Sequence, residues 1–371
     1  MKYRLSILLT LAIAFASTAS AADAQATPPR AYKDASFTEF FRRTNGWVSG
    51  DGAFSVPLSD RRSLWLFGDS HIDDFDPATK TTPCLFQVRN AGLIQMTNDL
   101  TTARTLIGMP PGSRTWFKNS TNAGEWFWPV CGFQQDNAVY VYLAALEKTG
   151  VGGMWGFKAR SHDFFAKIAF PELKQISYLP LPEFNGIGFG QGFVNAGEFT
   201  YAYGGKRNKT ASDVYVAKFK SATPERDWTF WNGKQWTPDV KNAAVICHGT
   251  STSVHICKVN DTFLLTTTAF SVACDQGKEI YIATTKSPTG PFLPLKSVYT
   301  VDDLYEGHYP FFYLAVAHPE FINAKHELLV TYSINGYEPC VRACVNGRAI
   351  PDHYRPKAIR VPLEEILNPN R

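Results

Sequence analysis

Two aspartates near the start of the chain carry the first chemical hint. Gly50-Asp51-Gly52 and Gly68-Asp69-Ser70 lie equally far on either side of a turn signal at Asp60-Arg61-Arg62. If the chain folds back there as a hairpin, Asp51 and Asp69 stand opposite each other at one rim. Directly opposed residues on neighbouring strands bring their Cβ atoms to roughly 4.5–5.5 Å. Two carboxyls that close disfavour double ionisation, so one holds its proton while the other is charged. Such a split into an acid and a base is what cleavage of a glycosidic bond requires. The flanking glycines leave the rim open to a sugar ring. Gly-Asp-Gly and Gly-Asp-Ser also serve as plain turns in which the aspartate caps its own backbone. A single bulge would break the symmetry.

Other residues can be grouped around this pair. Arg89 and Asn90 are expected to bind substrate hydroxyls beside it. Alternatively, Arg89 pairs with Asp69 and keeps it charged, which gives the proton-donor role to Asp51. Glu125 precedes Trp126-Phe127-Trp128, rings able to stack on sugar faces, with Trp128 expected nearest the axis. Aromatic clusters equally build cores. Gln191 is expected at the matching place one repeat later. Among the scattered histidines, His71 and His318 are the candidates for substrate contact, although a lone histidine beside a strand is commonly a hydrogen-bonded structural residue. No Gly-x-Ser-x-Gly elbow and no phosphate-cradling glycine loop occurs. Nothing matches a calcium loop, and the cysteine spacing does not suit zinc. No metal site and no organic cofactor are therefore expected; a calcium ion in a central channel is the one metal left open.

The elements that would carry these residues repeat. Strand-like runs with period-2 aromatic or branched residues recur at Ser63–Phe67, Ala138–Tyr142, Glu198–Tyr203, Thr262–Thr266 and Glu327–Tyr332, at intervals of 60–75 residues. Turn chemistry precedes each, as in Asp136-Asn137 and Asn260-Asp261, and another short strand precedes each turn. Repeats of hairpins on this scale fit four-stranded propeller blades. A pair of β-sandwiches would also use many short strands, but no linker divides the chain. Helical periodicity is scarce, with one closing turn expected over Leu363–Leu367. The reading is an all-β, five-bladed β-propeller, a single domain over 31–371.

The chain ends and composition set the compartment. Lys2 and Arg4, an apolar run from Leu5 to Phe15, and Ala19-Ser20-Ala21 read as a secretory signal peptide over 1–21. No later stretch offers roughly 18 unbroken apolar residues, so no membrane partner is expected. The formal charge of +4 includes the two leader cations, and no basic cluster interleaves with aromatics, which argues against nucleic acid. Seven cysteines follow the leader: Cys84, Cys131, Cys247, Cys257, Cys274, Cys340 and Cys344. Export permits disulfides, and an odd count leaves at least one thiol outside an intrachain bridge. The protein is expected to be secreted or periplasmic, monomeric, and to act on a polysaccharide.

The segment from Trp47 to Asp69 resembles the opening of a propeller family long labelled a domain of unknown function (DUF4185-like, glycoside hydrolase family 183-like). That family includes endo-D-arabinanases, which cut the D-arabinofuranose polymer of mycobacterial walls. The matching pieces are Gly50-Asp51-Gly52, Ser55, and Trp65-Leu66-Phe67-Gly68-Asp69-Ser70, with weaker echoes at Arg89-Asn90, Trp126–Pro129, Ser287–Phe292, Ala317–Glu320 and Tyr332–Asn335. The resemblance implies a five-bladed propeller with a funnel-shaped active site and catalytic Asp51 and Asp69. It departs at Cys131-Gly132-Phe133, where a more polar strand is expected, and in the acid-rich stretch Asp73, Asp74 and Asp76. The expected activity is hydrolysis of a furanose-rich polysaccharide, D-arabinan first. The alternatives are a non-catalytic glycan-binding propeller, a glycosidase for another sugar, or a lyase that uses Tyr332 and His318.

Overall fold

A strand covered on both faces can be apolar at every position, whereas one with a wet face must alternate. Four of the five recurring runs are of the first kind, and the third, Glu198–Tyr203, keeps one partly exposed face. In the computed structural model, which describes residues 30–367 apart from 110–112, 120, 121, 123, 153–155, 210 and 337–340, all five become the second strands of five antiparallel sheets. These strands are Arg62–Ile72, Ala138–Lys148, Phe199–Asn208, Thr262–Thr268 and Glu327–Asn335. Thr262–Thr268 is buried along its whole length, and Glu327–Asn335 at all but its last residue. Neighbouring sheets pack on them from both sides.

The first strands are Trp47–Pro57, Glu125–Gln135, Gly188–Ala196, Val254–Val259 and Phe311–His318. Each touches the first strand of the next sheet, and the fifth touches the first, so they form a closed inner ring. This is a five-bladed β-propeller in one domain. Tight hairpins join first to second strands: Val259 pairs with Thr262 across Asn260-Asp261, and Gln135 with Ala138 across Asp136-Asn137. Asn260 and Asp136 take left-handed φ values of 52° and 51°, which short polar side chains tolerate.

The ring closes with a strand from the other end of the chain. Tyr32–Lys33 pairs with Lys357–Pro362 on the outer edge of blade five. Just after it, Asp34 caps the helix Ala35–Phe40 by accepting from the Phe37 amide, and its second oxygen takes the Arg360 guanidinium at 2.7 Å. This helix has no counterpart in the sequence reading; it packs Phe37, Phe40 and Phe41 on Trp65 and Phe321. The expected closing turn appears as a helix over Leu363–Leu367. Cys84 and Cys344, 260 residues apart, form a disulfide, and Cys274 is also disulfide-bonded. Cys131, Cys247 and Cys257 are buried free thiols. The leader expected over 1–21 and residue Cys340 lie outside the described residues. Among the described residues, no helix is long and apolar enough to cross a membrane.

The Asp34–Arg360 pair joins the two chain ends with both side chains about one-tenth exposed. Removing one member leaves a buried charge without its partner, so Asp34→Ala is expected to lower unfolding free energy by about 3 kcal/mol, measured by denaturant titration.

Candidate active site

The hairpin of blade one keeps its symmetry by an unexpected route. Ser55 pairs with Trp65 and Phe54 with Leu66, then Gly52 with Phe67 and Gly50 with Ser70. Between the last two pairs, Asp51 alone stands against Gly68 and Asp69. One step earlier the imbalance is opposite, since Ala53 has no partner. Two bulges of opposite sense cancel, so the register beyond them is what an unbroken hairpin would give. Gly52 and Ala53 pass through left-handed φ values of 99° and 48°. Asp51 and Asp69 are thus not a simple opposed pair but the two sides of one bulge, a device that re-aims side chains.

The glycines serve this packing; they do not leave the rim open to a sugar. A Cβ on Gly68 would lie 2.5 Å from Asp51 Oδ1, and one on Gly50 would lie 2.5 Å from Ser70 Oγ and 2.9 Å from the Asp69 carbonyl. The space beside each is filled by the protein itself.

The two carboxyls have different partners. Tyr313, from the inner strand of blade five, donates its hydroxyl to Asp51 Oδ2 at 2.7 Å. The Tyr354 phenol lies close by and also draws the Asp51 carboxyl downward. The Gly52 amide donates to Ser333 Oγ at 3.1 Å and ties the bulge to blade five. Asp69 accepts from Trp128 Nε1 at 3.2 Å and from Arg89 Nη1 at 3.3 and 3.4 Å. The Arg89 guanidinium lies 4.2 Å over the Trp126 ring and 5.1 Å over Phe86, and Trp128 meets Phe157 edge-on at 4.9 Å. Burial pushes the Asp51 carboxyl up to about 6, against the pull of Tyr313 and Tyr354. Burial pushes Asp69 up to about 7, with Arg89 opposing and the charge of Asp51 adding to the rise. Near neutral pH the pair can therefore hold one proton between them, ready to be given to one atom while the other carboxylate faces a developing positive centre.

Of the residues expected at the site, Arg89 and Trp128 do converge on Asp69. Asn90 does not: it is fully buried, and its amide is spent on the Phe117 amide and the Phe117 and Phe127 carbonyls, so it braces a loop and has no group left for substrate. His71 is buried with Nδ1 2.7 Å from Asp74, a residue that also accepts from Gln87. This pairing gives part of the acid-rich stretch a local structural task. Gln191 stays on blade three, at the register break between Gly188 and Gly192. His318 likewise makes no open contact for substrate. It is fully buried, with Nδ1 2.6 Å from Ser55 Oγ and Nε2 2.8 Å from Thr331 Oγ1, while Ser55 also donates to Glu320. This chain of bonds lies four residues along the inner strand from Asp51 and joins blade one to blade five. Tyr332, the other residue a lyase would need, is buried and donates to Asp303 at 2.5 Å.

Tyr313, Tyr354 and Glu320 were missed by sequence reasoning. Tyr313 lies near the start of the inner strand of blade five and bonds Asp51, which a blade-by-blade alignment could have exposed. Tyr354 is the last residue of the short helix Pro351–Tyr354, in an otherwise irregular segment, and has no such signal. Among the described residues, no three His, Cys, Asp or Glu side chains gather as a metal cage. Two surface clefts open on the outer side of blade one, beside Arg62 and Met96 and beside Arg42 and Thr101, apart from the carboxyls.

A carboxyl whose folded pKa is raised favours the fold when protonated, and that contribution is lost as pH rises from its unfolded value of 3.8 through about 7 for Asp69. Asp69→Asn is therefore expected to melt at a higher temperature than the parent at pH 8, with the advantage fading toward pH 4. Calorimetry across this range reads it directly.

Residues 34–363 match the model of a family described as Domain of unknown function (DUF5005). Among solved structures, the chain is similar to a provisionally designated hydrolase from Bacteroides ovatus, at 20% identity over 92% of each chain with a TM-score of 0.72. It is more loosely similar to an exo-β-1,3-galactanase from Phanerochaete chrysosporium, at 10% identity over 90% of this chain and 64% of that one, TM-score 0.48. An exo-1,5-α-L-arabinanase from a bovine ruminal metagenomic library matches at 10% identity over 85% and 94%, TM-score 0.44. At 20% identity the first likeness establishes the fold alone, and the two looser ones add nothing to it. No curated protein matches the chain in sequence.

Proposed function

The chain belongs to the family described as Domain of unknown function (DUF5005), and from that premise we propose that it is an exported glycoside hydrolase that cleaves a furanose-rich polysaccharide, D-arabinan first, by acid/base chemistry at Asp51 and Asp69. The observation that carries this reading is the pair itself. Two carboxyls with raised pKa values share one bulge at the inner ring, each with a different set of donors. One can protonate the leaving oxygen while the other, ionised, supports the oxocarbenium-like centre or the attacking group. Trp128, half-buried beside Asp69, offers a ring for a sugar. The resemblance of Trp47–Asp69 to the endo-D-arabinanase group supports the choice of polymer. The Cys84–Cys344 disulfide supports an oxidising compartment. The chemistry needs no organic cofactor, and we take the working form to be a monomer.

General acid/base groups are worth about 10²–10⁴-fold in rate, so Asp51→Asn and Asp69→Asn should each lose activity on that scale while folding normally. Released reducing ends from a polysaccharide panel that includes arabinogalactan provide the measurement. Full activity in Asp69→Asn would sink the assignment. Binding of a glycan without any release, unchanged in both variants, would instead support the non-catalytic glycan-binding reading.

A further inference from the structure

We propose that Tyr313 and Tyr354 are positioning residues that hold Asp51 as the ionised member of the pair and leave Asp69 as the proton donor. This deepens the glycosidase reading and rests on it for its catalytic meaning.

The first ground is the asymmetry of donors. Asp51 receives the Tyr313 hydroxyl at 2.7 Å, and the nearby Tyr354 phenol pulls on the same carboxylate. Both phenols titrate well above their usual range, raised by burial and by the adjacent carboxylate, so each remains a donor at any working pH. Two phenols beside one carboxylate stabilise its anion.

The second ground is backbone geometry. Opposite Tyr313 the register of blade five shifts, with Tyr313 paired to Ser333 but Val316 to Thr331. The shift is made by Leu314 at φ 52°, a left-handed conformation disfavoured for any residue with a Cβ. Ala53, at φ 48°, does the same beside Asp51 on the neighbouring inner strand. Two non-glycine residues thus adopt disfavoured conformations on neighbouring inner strands, one adjoining Tyr313 and the other two residues from Asp51. Such strain persists where the surroundings over-determine it, and it clusters at working sites. Phe311 stacks on Tyr313 at 5.0 Å and fixes its ring, while Ser333, paired to Tyr313, accepts from the Gly52 amide.

The opposing influence is Arg89. It meets both Asp69 oxygens through one nitrogen, at 3.3 and 3.4 Å, longer than the roughly 2.7–2.9 Å of a strong charge-assisted bond. Its guanidinium is also stacked on Trp126 and Phe86. Asp69 is only 8% exposed and faces the charge of Asp51. The groups that bear on the pair are thus Tyr313, Tyr354 and Asp69 around Asp51, and Arg89, Trp128 and Asp51 around Asp69. Arg89 moderates the burial of Asp69 without reversing the order. In the cleavage step, Asp69 gives its proton to the glycosidic oxygen as that oxygen takes the electron pair of the breaking C–O bond. The anomeric carbon takes its new bond from water, whose proton passes to the Asp51 carboxylate, so the two carboxyls exchange acid and base states in one hydrolysis.

Carboxyl-13C NMR titration of the aspartates tests this without any substrate, with Asp51→Asn and Asp69→Asn used for assignment. In the parent the lower midpoint should belong to Asp51. In Tyr313→Phe that midpoint should rise by about one pH unit, the loss of one hydrogen bond to a charged group. The Asp69 midpoint should fall as its neighbour's charge weakens. Tyr354→Phe should act in the same direction and stands in if Tyr313→Phe does not fold. On a cleaved glycan, the kcat/KM bell should then narrow from both sides. A lower midpoint on Asp69 in the parent, or midpoints unmoved by either phenylalanine, would overturn the proposal. If no glycan is cleaved, the glycosidase reading fails, while the titration still decides which carboxyl holds the proton.

Discussion

A ring of twisted sheets has two raw faces until its ends meet, and the closing contact here is slight in backbone terms. Two residues, Tyr32 and Lys33, pair with Ile359 and Arg360. The rest of the seam is built from side chains: the Asp34–Arg360 ion pair, the aromatic residues Phe37, Phe40 and Phe41 against Trp65 and Phe321, and polar ties from blade one to blade five. Those ties include Asp51 to Tyr313, Gly52 to Ser333 and Ser55 to His318. The first two involve the bulge that carries the carboxyls. Closure of the ring and assembly of the site are therefore the same event, and blade five contributes to both.

The same overlap makes the site expensive. Asp51, Asp69 and Glu320 are all carboxyls pushed upward by burial, and none has a short, bidentate cationic partner. A protein selected for stability alone would replace them with neutral groups, since a buried charge without full compensation opposes folding. His255, lowered to about 4, and His318, held well below its usual range, stay neutral in the same inner region. The inner ring is thus dry enough for small differences in hydrogen bonding to decide where protons reside.

The architecture was legible because its strongest signal is physical. Second strands covered on both faces can be apolar or β-branched at nearly every position, and Ala138–Tyr142 or Thr262–Thr266 could hardly be anything else in a chain of hairpins. Asp51 and Asp69 were legible for a partly accidental reason: two bulges that cancel restored the symmetry on which the reading relied. Asn90 and His318 misled because burial is not written in a residue's type; both are polar residues of the inner blades whose groups are consumed by loop carbonyls or by Ser55 and Thr331. The helix Ala35–Phe40 escaped because six residues show no period, and its aromatic residues read as well in a strand. Tyr354 could not be foreseen, since its place depends on how an irregular segment folds over the rim.

The Cys84–Cys344 bridge crosses the same seam. It joins the excursion after the second strand of blade one, where Thr82–Pro83 pairs with Arg348–Ala349, to the excursion after the second strand of blade five. Under mechanical load applied between the two strands that close the ring, the first bonds to carry tension are the Tyr32–Arg360 and Lys33–Ile359 pairs. Once these part, the bridge takes the force directly and the span between its cysteines is bypassed. Blades two, three and four are then shielded from extension, and only the flanking segments of blades one and five can pay out. The bond acts as a covalent hoop, limiting how far the ring can be pulled open while most of the propeller stays folded.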